Sequence, residues 1–273
     1  MNDEIESLLK GSIDLHVHAA PDIPKRRMDA LDTTRTAYEV GMGGFALKSH
    51  NYLTSPLTYL LSQIYPGLEI YGSISLNSPV GGVNPEAVET AAQLGTNIVW
   101  MPTISAEFYL SKTNSGKGLC ILDKSEKLTD DTLEVIDIVQ ANDMILASGC
   151  ISPLETMKLF GAAKDRGVKK MIATHPEELR EDQLKDLTTL GVYMEYSFLS
   201  CMPLAAKISP IDLSAQILKA GIERSVVTTA FGQPVNPPPS EGMRMAIAAL
   251  LDSGMSSKNI SLLVKDNPSE LLS

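Results

Sequence analysis

Histidine, cysteine and tryptophan are scarce: four His, three Cys and one Trp among 273 residues, with aromatics at 5%. The cysteines, Cys120, Cys150 and Cys201, are odd in number and far apart. That excludes a disulfide framework and suits a reducing, cytoplasmic setting. No apolar run approaches the roughly 20 residues of a membrane span, so no membrane partner is expected. The opening segment, MNDEIESLLKGS, is acidic and polar, unlike the apolar core of a signal peptide. Clustered basic charge is lacking too. The net charge is −10, and the one dense basic stretch is Pro24-Lys25-Arg26-Arg27. Nucleic acid is therefore excluded as a partner, since phosphate binding needs grouped Lys and Arg. Composition leaves homo-oligomerisation open.

Apolar residues, by contrast, make up 44% of the chain, enough for a large core. Their arrangement repeats. Helical periodicity ends at Gly41, Gly67, Gly95, Asn142, Gly167, Gly191 and Gly221, and a short apolar run follows each. Gly and Asn tolerate the left-handed conformation that closes a helix. Near-continuously apolar runs suit strands covered on both faces. With the opening run Ser12–His18, the joints predict eight strands beginning near residues 13, 44, 69, 97, 144, 169, 192 and 225. Asn84-Pro85 and Ser152-Pro153 read as helix N-caps followed by Pro. Strict alternation at this length predicts a single-domain (β/α)8 TIM barrel over residues 1–273. A doubly wound open sheet uses the same units, but no Gly-x-Gly-x-x-Gly follows the first strand. Joints lie 24 to 30 residues apart except for 47 between Gly95 and Asn142. The excess, residues 104–128, is expected to form a lid.

Active sites of such barrels sit where strands end. All four histidines fall there: His16 and His18 after strand one, His50 after strand two, His175 after strand six. Alternate strand residues point the same way, so His16 and His18 can share one ion, for which imidazole is a preferred ligand of zinc. His175 joins them as a candidate ligand. Lys48 and His50 share a parity on strand two, which fits a substrate-binding Lys or a general base; His50 is also a candidate ligand. Cys150, after strand five, reads equally as a small buried apolar residue and as a thiolate ligand. Glu155 belongs to a capping box opened by Ser152. Glu195, within the apolar run Val192–Phe198, needs a partner or a metal, because an unpaired buried carboxylate is costly.

These residues together resemble the amidohydrolase superfamily of metal-dependent hydrolases. The likeness rests on the His-x-His pair opening strand one, the strand-six His175 and the C-terminal NPSELL. DLHVHAAPD, GFALKSH, WMPT and THPE look like an uncharacterised branch of it. The resemblance implies a divalent metal, zinc first, with manganese or iron as alternatives. It implies His16, His18, His175 and Cys150 as ligands and Lys48, His50 and Glu195 as catalytic candidates. The implied activity is hydrolysis of a C–N amide, ester or lactone bond in a small anionic molecule. Lys48, Lys112, Arg26 and Arg27 hint at the negative charge. Two departures stand out. Cys150 replaces the superfamily's strand-five His, and Ala230 replaces the strand-eight Asp, which in such enzymes binds metal and shuttles a proton. The bridging Lys of strand four is missing as well. The second reading is therefore a catalytically impaired barrel that binds a small molecule or metal without hydrolysis. A histidinol-phosphatase-type phosphoesterase also opens with Asp-Leu-His-x-His, but needs more histidines than this chain has.

Overall fold

The structure, a computed structural model, describes residues 2–203, 205 and 207–273. Its strands are β1 (Ile13–Val17), β2 (Gly44–Leu47), β3 (Glu69–Ser75), β4 (Thr96–Trp100), β5 (Ile145–Ala147), β6 (Met171–Thr174), β7 (Tyr193–Ser197) and β8 (Ser225–Thr228). Helix α1 (Asn2–Leu9) precedes β1. Then come α2 (Ala30–Glu39), α3 (Ser55–Ile64), α4 (Pro85–Gln93), α5 (Glu107–Thr113), α6 (Asp130–Ala141), α7 (Pro153–Asp165), α8 (Glu181–Leu190), α9 (Pro210–Ala220) and α10 (Pro239–Asp252). The chain finishes with α11 (Ser257–Ser261) and α12 (Asn267–Leu272). Sheet order follows the sequence from β1 to β8, and the pairs with a defined register are parallel. Sequential parallel strands with a helix in every crossover make the (β/α)8 TIM barrel that the sequence predicts. Every expected strand start lies within two residues of the observed one.

The joints form as read, with one correction. The six glycines adopt φ between 72° and 100°. Asn142, by contrast, keeps φ −105°, and Asp143 beside it takes the left-handed conformation at φ 51°. Asn142 instead donates from its side chain to the Ile138 carbonyl, while the Asp143 carboxylate pairs with Lys170 at 2.6 Å. Asn84 caps α4, and Ser152 with Glu155 forms the expected capping box of α7. Glu155 also accepts the Ile121 backbone N–H at 3.0 Å, fastening the 104–128 segment to the start of α7. Within that segment Ala106 and Ile121 are fully buried.

Two compact units divide the chain. The first comprises residues 1–48, 57–71 and 195–273; the second comprises 49–56 and 72–194. In the first, Leu15, Phe45, Leu47, Val226, Val227 and Phe231 form the buried centre, and α10 packs on α1, α2 and α9. In the second, Ile98, Trp100, Leu146, Met171 and Ile172 do so, with α4 on α6 and α7 on α8. Each such side chain contributes about 1.5–3 kcal/mol by leaving water. Among the described residues no helix is long and apolar enough to cross a membrane.

Candidate functional site

In the first unit, β1 delivers His16, and His18 follows it directly. Their Nε2 atoms lie 3.2 Å apart. His16 Nδ1 faces Glu195 Oε1 at 2.6 Å, and His18 Nδ1 faces the Lys48 carbonyl at 2.8 Å. A carboxylate and a carbonyl can only accept, so each Nδ1 carries the proton. Arg26 Nη2, 3.3 Å from His18 Nδ1, then has no lone pair there to bond; its guanidinium pairs with Asp22 at 2.6 Å. In the neutral imidazoles both Nε2 atoms consequently hold lone pairs aimed at one region, an arrangement that needs a cation or a proton between them. Lys48 supplies positive charge, its Nζ lying 3.2 Å from His16 Nε2 although the residue is 2% exposed.

The chemistry of this donor set fits a divalent ion. Two imidazoles bound tetrahedrally at about 2.0–2.1 Å would hold their nitrogens about 3.4 Å apart, close to the spacing found. Fixing each Nδ1–H by a carboxylate or carbonyl is the usual support behind ligating histidines. Among the described residues, however, no group of three or more His, Cys, Asp or Glu side chains is placed to hold a metal.

Glu195, on β7, is buried and takes two hydrogen bonds on one oxygen: from His16, and from Thr228 at 2.9 Å. Among the described residues its Oε2 is buried with no hydrogen-bond partner. Burial would raise this carboxyl, but the charge and hydrogen bond of His16, with Lys48 and Thr228, pull it down to about 2. Asp14 shares the parity of His16 and His18. It accepts from the backbone N–H groups of His16 and Thr229, each at 3.1 Å, and from the Thr229 hydroxyl at 2.5 Å. Burial nonetheless pushes its carboxyl up to about 7. Sequence reading missed Asp14, Thr228 and Thr229. A carboxylate inside the apolar strand Ile13–Val17 is the same signal that marks Glu195, and it was there to be read. Ala230 is buried and holds φ 52°. Gly232 lies against His18 so closely that a Cβ would overlap the His18 carbonyl and Cβ.

The second unit holds the other candidates. Asn77 is fully buried at the end of β3. It accepts the Thr103 and Ser105 backbone N–H groups, and donates to the His50 carbonyl at 3.0 Å and the Thr103 hydroxyl at 2.7 Å. That hydroxyl, 2.8 Å from His50 Nδ1, satisfies its own proton by donating there. Donation there leaves the proton of neutral His50 on Nε2. His175 Nδ1 lies 3.2 Å from Glu177 Oε1. Burial acts to lower the His175 imidazole, but Cys150 and Glu177 outweigh it and hold it above its ordinary value. Lys112, read as a hint of an anionic ligand, pairs with Glu178 at 2.5 Å and covers the Phe108 ring. With Arg26 paired to Asp22, two of the four cations behind that reading already have carboxylate partners.

Comparison with known proteins adds a family and a set of solved barrels. Residues 11–195 match a family of unknown function, DUF6282. No curated protein matches the sequence. An amidohydrolase from Pseudomonas aeruginosa superposes with a TM-score of 0.69 at 11% identity, covering 99% of this chain and 97% of that one. The probable dipeptidase PvdM from the same organism gives 0.68 at 10% identity, with the same coverage. The organophosphorus hydrolase from Deinococcus radiodurans gives 0.61 at 10% identity, covering 96% of this chain and 92% of that one. At such identities the likeness establishes the fold.

Proposed function

The chain belongs to the DUF6282 family, a family of unknown function, and we propose that it is a metal-dependent hydrolase acting on an amide, ester or lactone bond of a small molecule. The observation that carries this reading is the pair of Nε2 lone pairs of His16 and His18, 3.2 Å apart, each backed by an acceptor on its Nδ1. Similar barrels named as an amidohydrolase, a dipeptidase and an organophosphorus hydrolase support it. His16 and His18 would hold a divalent ion, zinc first and manganese or iron as alternatives, and the ion would polarise the substrate carbonyl.

The chain's own residues divide the remaining work. Glu195 fixes the His16 ring through Oε1 and presents the unpartnered Oε2 to the attacking water. Lys48 Nζ carries a proton within reach of His16 Nε2 and can deliver it to the departing nitrogen or oxygen. A buried carboxylate tied to His16 by a hydrogen bond is a weaker base than a free one, so proton removal from water is inefficient. Slow turnover follows, consistent with Ala230 standing where the superfamily has its proton-shuttling Asp.

The test is hydrolysis of a panel of lactones, esters and amides of small carboxylic acids, with zinc or manganese added or chelated. Metal-dependent turnover that Glu195→Gln lowers about 10²-fold or more, the typical worth of a general acid–base group, supports the reading. Metal binding with no turnover on any member would favour a barrel that binds without hydrolysing.

A further inference from the structure

We propose that the outward face of α3 is a self-association surface, on which a second copy of this chain packs its own α3 about a two-fold axis near Leu60. The sequence sets this helix apart. Residues 49–68 include no Asp, Glu, Lys or Arg, the longest such run in a chain that is 21% charged. Within that run α3 turns apolar side chains both ways. Leu61 is buried against the barrel, while Tyr59, Leu60 and Ile64 remain 66%, 60% and 57% exposed. A surface helix ordinarily presents charged and polar residues outward, and one that is apolar on opposite sides is normally covered on both.

The patch extends beyond one helix. Tyr65, next to Ile64, brings its ring to 5.5 Å from that of Tyr38 on α2, itself 48% exposed. Taking roughly 200 Å² for a whole side chain of this size, Tyr38, Tyr59, Leu60 and Ile64 leave about 450 Å² uncovered. An apolar patch of that extent marks a place where a protein meets something else. Two copies joined here would bury about 900 Å² from these residues alone. The uncharged Gln63 and Pro66 beside them, both exposed, carry the contact past the roughly 1,000 Å² that a stable interface needs.

Charge selects the occupant. At a net charge of −10, two copies repel wherever their acidic surfaces meet. The α3 face lets them approach with no carboxylate of this helix between them. On neighbouring α2, Arg35 is already neutralised by Asp32 at 2.9 Å and Glu39 at 3.3 Å. An anionic membrane is a poor match, because helices that lie on lipid carry Lys or Arg beside the apolar face and α3 has neither. Tyrosine with aliphatic residues and no charge is the composition of an interface core. A two-fold axis needs one self-complementary patch, and a helix laid antiparallel on its own copy provides it. Helix α9 also exposes Ile211 and Leu218, but Asp212 and Lys219 stand beside them.

Light scattering and sedimentation equilibrium of the full chain test this without reference to hydrolysis or metal. The wild type should have twice the mass of one chain. Leu60→Glu sets two carboxylates against each other across the axis and should weaken association about 10²-fold or more, since like charges juxtaposed in an interface are strongly unfavourable. Leu60→Lys should do the same. Mixing the two variants should restore a dimer with one copy of each, which damage to the fold would not do. Leu60 is exposed in the single chain, so neither variant disturbs the core. Ile211→Glu on α9 is the control and should leave the wild-type dimer intact. A dimer that survives Leu60→Glu, or two variants that stay apart when mixed, overturns the proposal. So does a wild type that is monomeric at about 0.1 mM, a concentration that fills any stable interface. Sedimentation of that monomer with phosphatidylcholine vesicles would give the face to a membrane, and its failure to sediment would give it to a different protein.

Discussion

His16 Nδ1 donates to Glu195 Oε1 across 2.6 Å, with the two side chains 8% and 1% exposed. The Glu195 carboxyl consequently stands at about 2 in the folded chain against an ordinary 4.5. A depressed carboxyl stabilises the fold above its ordinary value, and that contribution disappears as pH falls from about 4.5 through about 2. Urea unfolding of the metal-free chain should therefore show a steeper loss of stability between pH 5 and about 2.5 than Glu195→Gln shows. Parallel pH profiles for the two proteins would contradict the pairing.

Gly232 is the second point of leverage on the histidines. It holds φ 145°, and a Cβ there would overlap the His18 carbonyl. Gly232→Ala should displace His18, cost more than about 2 kcal/mol as overpacking against fixed backbone does, and weaken metal binding. Calorimetric metal titration and thermal unfolding check both effects; wild-type affinity in this variant would mean that His18 is not held where binding requires it.

The buried Asn77 makes a prediction in the second unit. Asn77→Leu orphans the Thr103 and Ser105 backbone N–H groups and the His50 carbonyl at about 1–3 kcal/mol each, so denaturant stability should fall by several kcal/mol. Nitrogen-15 NMR of His50 should show a protonated Nε2 and a bare Nδ1 at neutral pH. Thr103→Val removes the donor that selects this tautomer and should shift the balance toward Nδ1–H.

Ala230 allows a gain-of-function test. Its φ of 52° is a conformation that Asp and Asn adopt more readily than Ala does. Ala230→Asp should therefore fold without added backbone strain and would supply the carboxylate that the resemblance to the amidohydrolase superfamily implies at this strand end. Turnover on whichever panel substrate responds should rise, up to the roughly 10²–10⁴-fold that a general acid–base group supplies. An unchanged rate in a folded variant would mean that Glu195 and Lys48 already meet the need.

Most of the fold was legible because helix ends and buried strands carry local signals. Left-handed glycines at Gly41 or Gly191 and the capping box at Ser152 each follow from a few neighbouring residues. The Asn142 joint misled because Asn and Asp share the left-handed tolerance, and Lys170, remote in sequence, helps hold Asp143. The pairing of His16 with His18 was readable from strand parity. What could not be read were partners brought from far along the chain: Glu195 to His16, Thr229 to Asp14, Thr103 to His50. Nor could the carboxylates already beside Arg26 and Lys112 be located, since ion pairs depend on where side chains end up and not on composition.

Elemental analysis of the chain purified without added metal, alongside the double variant His16→Asn with His18→Asn, tests the central claim most directly. The account predicts zinc, manganese or iron at close to one ion per chain in the wild type, and its loss in the variant with the fold intact by circular dichroism. A wild-type chain that holds no ion, and takes up none on dialysis against these metals, would contradict it.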